Sequence, residues 1–398
     1  MKSTENNTRN NILNMRRQTS VLLASKTRNN ILTLGFIAAV LLSSFLLNDY
    51  IDAYVQSILR LCAIYTIVAL SMNLVNGFAG MFSLGQAGFM AIGAYAVAIF
   101  TVPSEIRSDI FYIKPMAPYL VNIELPLIAA IFLGALVAAF VAFLIGFPVL
   151  RLRGDYLAIA TLGFSEIIRI LFMNTQTITN GSMGIKGIPR ELNIFYYVLA
   201  AVITVIILRL LISSSFGRAF KAIREDDIVA EAIGIGLFKH KLMAFVTSGF
   251  FAGFGGALFA AHLGTVDPST FKFMLTFDFL LIIVLGGLGS ISGTVISAII
   301  VTVGKELLRA LDEPFALFGV GIPLFRPGFR MVIFSLLLMV VVIFWQKGLM
   351  GKTELSWSRV FGWFNRISGS ISKKSSPRRA VSQSETNERI PTGGGNAK

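Results

Sequence analysis

The chain has 398 residues, 55% hydrophobic and only 14% charged, whereas a soluble domain carries about 25% charged residues. That deficit excludes an ordinary soluble enzyme and selects an all-α polytopic membrane protein, because several apolar stretches reach the roughly 20 residues a helix needs to cross hydrocarbon. A net charge of +14 would suit nucleic acid on a soluble protein, but here the basic residues gather in two polar tails and a few short loops. That is how cytoplasmic segments drawn to anionic membrane lipid are marked, so no nucleic-acid partner is expected.

Residues 1–30 are polar, basic and rich in Asn, longer than the basic region of a secretory signal, and are expected to stay as a cytoplasmic tail. Apolar spans follow near 31–48, 53–75, 83–100, 124–149, 155–174, 194–212, 242–263, 275–308 and 329–346. The single cysteine, Cys62, falls within the second and reads as packing. The stretch 275–308 is too long for one untilted crossing and is interrupted by Gly286, Gly287, Gly289 and Gly293. It predicts two short helices joined by an irregular turn at membrane depth. Residues 351–398 are rich in Ser, Lys and Arg and read as a disordered cytoplasmic tail, leaving 31–350 as the membrane domain.

Lys and Arg in short loops mark the cytoplasmic side. With residues 1–30 inside, Arg151 and Arg153 fall inside, as does the segment 213–241 with Arg218, Lys221, Arg224, Lys239 and Lys241. The loops 101–124 and 175–194 fall outside. Two crossings from the glycine-broken stretch return the basic C-terminal tail to the cytoplasm, so the rule favours about ten crossings with both termini inside.

Between Asn73 and Ala98 the chain reads NLVNGFAGMFSLGQAGFMAIGAYAVA. Ala87, Ala91, Ala94 and Ala98 recur at helical spacing and set a small-residue seam on one face, suited to close packing. The glycine run from Gly77 to Gly88 predicts a break beside Asn73, Asn76, Ser83 and Gln86. Helices interrupted near the midplane, with polar groups at the break, are a common form of solute path. The stretch GDYLAIATLGFSEIIRILFMN from Gly154 adds Thr161, Ser165, Glu166 and Arg169 to the candidates. Glu166 and Arg169 share a helix face, and either a structural ion pair or a role in transport accounts for charge inside a span. The following TNGSMGIKGI, 179–188, is too glycine-rich for a helix and lies where an incoming solute or an external partner would meet it.

Residues 213–241 form the longest charged internal loop. Ala222, Ile223, Asp226, Val229, Ala230 and Ile233 recur there at helical spacing, which predicts one short amphipathic helix along the membrane, ended by Gly234 and Gly236. The whole chain has two histidines, His240 and His262, which build no metal-ligand cluster, and neither a nucleophile elbow nor a dinucleotide-binding glycine pattern occurs. The nearest approach to a phosphate loop, QKGLMGKT at 346–353, has Gln346 where the first glycine belongs. The chain is therefore expected to be non-catalytic, without metal or cofactor, and unable to hydrolyse ATP.

Four motifs, in order, resemble the membrane permease subunits of bacterial branched-chain amino-acid ABC importers, over most of Leu61 to Leu349. They are NLVNGFAGMFSLGQAGFMAIGAY, RLRGDYLAIATLGFSEIIRIL, FGRAFKAIREDDIVAEAIGIGLFKHKLMAFVTSGFFAGFGGALFA, and VLGGLGSISGTVISA with the closing WQKGLMG. The likeness is to the one of two paired permeases that carries the longer N-terminal extension. It implies half of a path for leucine, isoleucine and valine in the bacterial inner membrane. It also implies a second homologous permease subunit, two cytoplasmic ATPase subunits that use ATP, and an extracytoplasmic solute-binding protein. Within the loop matching Gly217 to Lys239 it implies a coupling helix docked on the ATPase, carried by Gly217, Arg218, Arg224, Glu225, Asp226, Glu231, Ala232 and Gly234. Two other readings stay open: a permease of the same fold for urea or another small polar solute, and an ion-coupled secondary transporter that titrates Glu166.

Overall fold

The computed structural model describes residues 50–152 and 154–309 continuously, together with 32–33, 35–46, 316–317, 320–321, isolated helical residues between 333 and 344, and 348–351. The tail expected at 1–30, Arg153, and the tail beyond residue 351 lie outside the described residues, as does most of the span expected at 329–346. What is described is a helical bundle. Helix α1 (Gly35–Leu46) is apolar and short. Helix α2 (Ala53–Asn73) runs on through a π turn at Leu74–Phe78, and α3 (Gln86–Thr101) starts only after an extended stretch. The third span thus begins at Gln86 rather than at 83. Val102 is extended ahead of Pro103, as a residue before proline prefers to be, and α3 turns there by 117° into α4 (Ser104–Ile110).

Helices α5 (Leu127–Val149), α6 (Asp155–Asn174), α7 (Gln176–Thr179) and α8 (Ile194–Ser213) follow. Then come α9 (Ser215–Glu225), α10 (Asp227–Ala232), α11 (Leu237–Leu263), α12 (Phe273–Gly286) and α13 (Ile291–Arg309). Among the described residues six helices are long and apolar enough to cross a membrane, or seven if α3 and α4 form one bent span; α1 and α12 are shorter apolar helices. The glycine-broken stretch is indeed two helices, parted at 287–290. Gly293 takes no part in that break. It lies inside α13, where its missing side chain lets the Gly286 backbone approach.

The bundle is built around α11, which packs along α5, α3 and α2, while α2 in turn meets α8, α12 and α13. The most apolar stretches of α2 and α11 are 72% and 67% buried, against 33% for α5, 28% for α6 and 33% for α8, so the last three form the rim. Helix α5 is apolar all round but sorted by size. Phe132, Phe140, Leu144 and Phe147 point outward, and Ala130, Ala135, Ala138 and Ala142 point inward with no exposed area. Lipid tails solvate large apolar side chains as well as a protein interior does, so helix association here depends on close backbone approach. The expected alanine seam of α3 is buried with them, from Ala87 to Ala98. Glycines complete it. A Cβ on Gly93 would overlap the Gly253 backbone, one on Gly256 the Met90 carbonyl, and one on Gly134 would come within 2.9 Å of the Gly93 oxygen.

The far end of the bundle is tied by short connections. Strand β1 (Ile185–Lys186) pairs antiparallel with β2 (Thr265–Val266), Ile185 opposite Val266, which pins the expected external loop to the end of α11. A second small antiparallel pair joins β3 (Ala316–Leu317) to β4 (Val320–Gly321). Buried Arg107 gathers the carbonyls of Val102, Leu120, Val121 and Ile123 at 2.5–2.9 Å, holding the loop after α4 without any regular element. Replacing Gly93 by Val forces the α3 and α11 backbones apart. It is expected to cost about 1–3 kcal/mol, read as a lower Tm of the detergent-solubilised protein, whereas Phe140→Leu on the outer face of α5 should leave Tm nearly unchanged.

Candidate functional site

The polar groups of the bundle concentrate where its helices break. At the end of α2 the α register widens into the π turn, with Ala79 N–H on the Leu74 carbonyl and Met81 N–H on that of Val75, both at 3.0 Å. Gly80, at φ +69°, then turns the chain into a conformation that residues with a Cβ rarely adopt. The extended residues after it have no helical partners, and side chains supply them. The Asn76 amide bonds both the N–H and the C=O of Ser83 at 3.1 Å, and the Thr161 hydroxyl accepts Leu84 N–H at 2.9 Å. Irregular backbone away from water is stable only when satisfied in this way.

The second break, between α12 and α13, turns through Gly287 (φ +106°) and Gly289 (φ +83°). Asn73 joins it to the first. Its amide oxygen accepts Gly289 N–H at 2.9 Å, and its amide nitrogen donates to the Ser290 carbonyl at 3.0 Å and the Thr294 hydroxyl at 2.6 Å. Asn73 has no exposed surface. Residues 348–351 close on the same turn, with Leu349 N–H on the Leu285 carbonyl at 2.7 Å and Met350 N–H on that of Gly286 at 3.3 Å.

Gln86, at the start of α3, donates to the hydroxyls of Ser71 at 2.7 Å and Ser248 at 2.9 Å, and Ser248 donates to the Ser71 carbonyl. One buried amide thereby ties α2, α3 and α11 together. Asn73, Asn76, Ser83, Gln86 and Thr161 therefore surround the breaks. Ser165, Glu166 and Arg169 lie further along α6. Ser165 packs on Gly88, and its buried hydroxyl has no hydrogen-bond partner among the described residues. Glu166 pairs with Arg169 at 2.7 Å, and its other oxygen accepts the N–H of Phe273, the first residue of α12, at 3.1 Å. A carboxylate at a helix N-terminus is favourable there, so Glu166 anchors α12 to α6. Sequence reasoning missed Ser71, Ser248, Ser290 and Thr294. It also missed a second ion pair within the spans, Asp278 with Lys305 at 2.6 Å. Small hydroxyls carry no periodic signal, but an acid and a base in neighbouring spans were visible in principle.

The charged loop departs from the single helix expected. Asp226 leaves helical geometry and accepts the N–H groups of Ile228 at 2.9 Å and Val229 at 3.0 Å, capping α10 and ending α9. A capping aspartate outcompeted continuous periodicity. Phe220, Ile223 and Ala230 are buried, but Val229 and Ile233, placed by periodicity on the same stripe, are 56% and 70% exposed beside Ile228 at 74%. Gly217 is buried against the Ile212 backbone; Arg218, Glu225, Asp226, Glu231, Ala232 and Gly234 are exposed. Arg224 is the exception in that group. Half-buried, it donates Nη1 to the Gly77 carbonyl at 2.9 Å and Nη2 to Glu225 at 2.7 Å. The breaks therefore lie at the α9 end of the bundle rather than halfway along it.

The sequence matches the family described as "Branched-chain amino acid transport system / permease component" over residues 54–342. It is 37% identical over 290 residues to the high-affinity branched-chain amino acid transport system permease protein LivM of Escherichia coli (strain K12), covering 64% of each chain. The chain thus spans just under two thirds of the length of that relative. A probable LivM of Methanocaldococcus jannaschii is 23% identical over 327 residues, covering 76% of this chain and 94% of the relative. The high-affinity branched-chain amino acid transport system permease protein LivH of Salmonella typhimurium is 23% identical over 317 residues, covering 73% of this chain and 92% of the relative. No solved structure matches. Truncating Asn73 to Ala strips the partners of Gly289, Ser290 and Thr294 from the second break, at about 1–3 kcal/mol for each buried group left unpaired. The expected result is a marked fall in Tm and faster protease cleavage near 287–290, measured by mass spectrometry.

Proposed function

Since this chain belongs to the family of permease components of branched-chain amino acid transport systems, we propose that it forms half of the membrane path of an ATP-driven importer for leucine, isoleucine and valine. The match over residues 54–342 carries this reading. A second permease homologous to this chain completes the path, two cytoplasmic ATPase subunits drive it, and an extracytoplasmic binding protein delivers the solute. The chain itself carries out no catalysis; ATP hydrolysis belongs to its partners. The exposed apolar tip of α10, Ile228, Val229 and Ile233, flanked by Asp227 and Glu231, is the surface offered to an ATPase. Accounting for Glu166 as the anchor of α12 weakens the ion-coupled reading.

We place the protein in the inner membrane with about ten crossings and α9–α10 in the cytoplasm. The positions of the turns support that count. The break at 287–290 and residues 348–351 lie at the α9 end, and α12 runs to that break from its anchor at Glu166 on α6. Both termini are then cytoplasmic.

Reconstituted with its partner permease, ATPases and binding protein, the complex should concentrate leucine in proteoliposomes only when ATP and binding protein are both supplied. Leucine uptake by this chain alone, or driven by a proton or sodium gradient, would overturn the reading. Replacing Val229 and Ile233 together by Asp should leave the protein in the membrane while reducing the co-purifying ATPase on the order of tenfold or more.

A further inference from the structure

Several features at the α9 end converge on one guanidinium. The last carbonyls of a helix have no helical partner, and the Gly77 carbonyl at the end of the π turn of α2 is taken by Arg224 from the last turn of α9 at 2.9 Å. A cation at the negative end of a helix dipole is favourably placed. Gly80, three residues on, lies so close that a Cβ there would come within 2.9 Å of the Arg224 Cα. Gly289, in the second break, lies against the same side chain, and a Cβ there would come within 2.7 Å of Arg224 Nη1 and 3.2 Å of the Gly77 oxygen. Gly77 and Gly289 are themselves in backbone contact, bridged by Asn73. Both breaks and the amphipathic segment therefore meet at one residue. On its outer side Arg224 pairs with Glu225, which is 61% exposed and faces away from the bundle.

We infer that Arg224 is the positioning residue that transmits movement of the α9–α10 segment to the two glycine-broken turns together, so that solute passage follows nucleotide turnover. The inference rests on the ATP-driven reading above. A rigid fork is needed, because Nη1 holds the helix end while Nη2 holds Glu225, and a lysine ammonium, a point charge, cannot reproduce both at fixed geometry. Gly80 and Gly289 have the complementary role: any side chain at either wedges the segment away from the breaks.

The test uses the complete reconstituted complex and compares Arg224→Ala, Arg224→Lys, Gly80→Ala and, as a control, Phe140→Leu. Leucine uptake and ATP hydrolysis are measured with and without solute-loaded binding protein. The expected result is that both Arg224 variants and Gly80→Ala co-purify with the ATPases and hydrolyse ATP. Their leucine moved per ATP should fall about tenfold or more, and hydrolysis should no longer respond to the loaded binding protein. Phe140→Leu, on the outer face of α5 and far from the coupling segment, should stay within about twofold of the unmodified complex. Unchanged leucine per ATP in both Arg224 variants would overturn the inference, and so would failure of both to assemble, which would make the contact a structural one only. If the unmodified complex shows no ATP-driven uptake, the failure lies with the transport reading itself.

Discussion

A peptide group inside a membrane has no water to bond, and every departure from a regular helix has to be covered by the protein itself. The layout of this bundle follows from that constraint. Where α2 and the α12–α13 pair depart from α-helix, amide and hydroxyl side chains from neighbouring helices take over the hydrogen bonds. Asn73, Asn76 and Thr161 act as pieces of surrogate backbone. Asn73 satisfies the second break from the end of α2, so the turn at 287–290 is incomplete without the first. Broken helices weaken a membrane protein when they stand alone; here one supports the next.

The same constraint separates two kinds of polar residue. Amides and hydroxyls at the breaks are buried or half-buried and hydrogen-bonded, while two ion pairs within the spans, Glu166 with Arg169 and Asp278 with Lys305, keep partial exposure and link neighbouring helical turns or helices. Charge inside a span attracts a functional interpretation first. Here Glu166 already holds a guanidinium and a helix start, which leaves little of its carboxylate idle.

Much of this was legible in the residues. Apolar length located the six long apolar helices and glycine interruption the parting of α12 from α13, and the clustering of Gly with Asn and Ser located the first break to within a few positions. The alanine seam was readable because small residues at helical spacing have few other uses in lipid. Depth was not readable: a break at the end of a helix and one midway along it have the same composition, and only the contact with Arg224 distinguishes them. Nor was the division of α9 from α10. Asp226 fits an amphipathic helix and a cap equally well on paper, and the cap wins because it satisfies two N–H groups that a continuing helix would have had to satisfy elsewhere. Gly293 was misread for a related reason, since a glycine that admits a neighbouring backbone cannot be told by spacing from one that ends a helix.

The size-sorted face of α5 and the glycine contacts of α3 and α11 have a consequence for how this protein tolerates variation. In a soluble core the large side chains lie inside and resist exchange, while the surface drifts freely among polar residues. Here the permissive surface is the greasy one, where Phe, Leu and Ile are interchangeable, and the closest helix contacts inside, between α3, α5 and α11, are made by residues with almost no side chain at all. Random substitution should therefore be most damaging at positions that look least informative, the alanines and glycines, and relatives should differ most among their bulkiest residues.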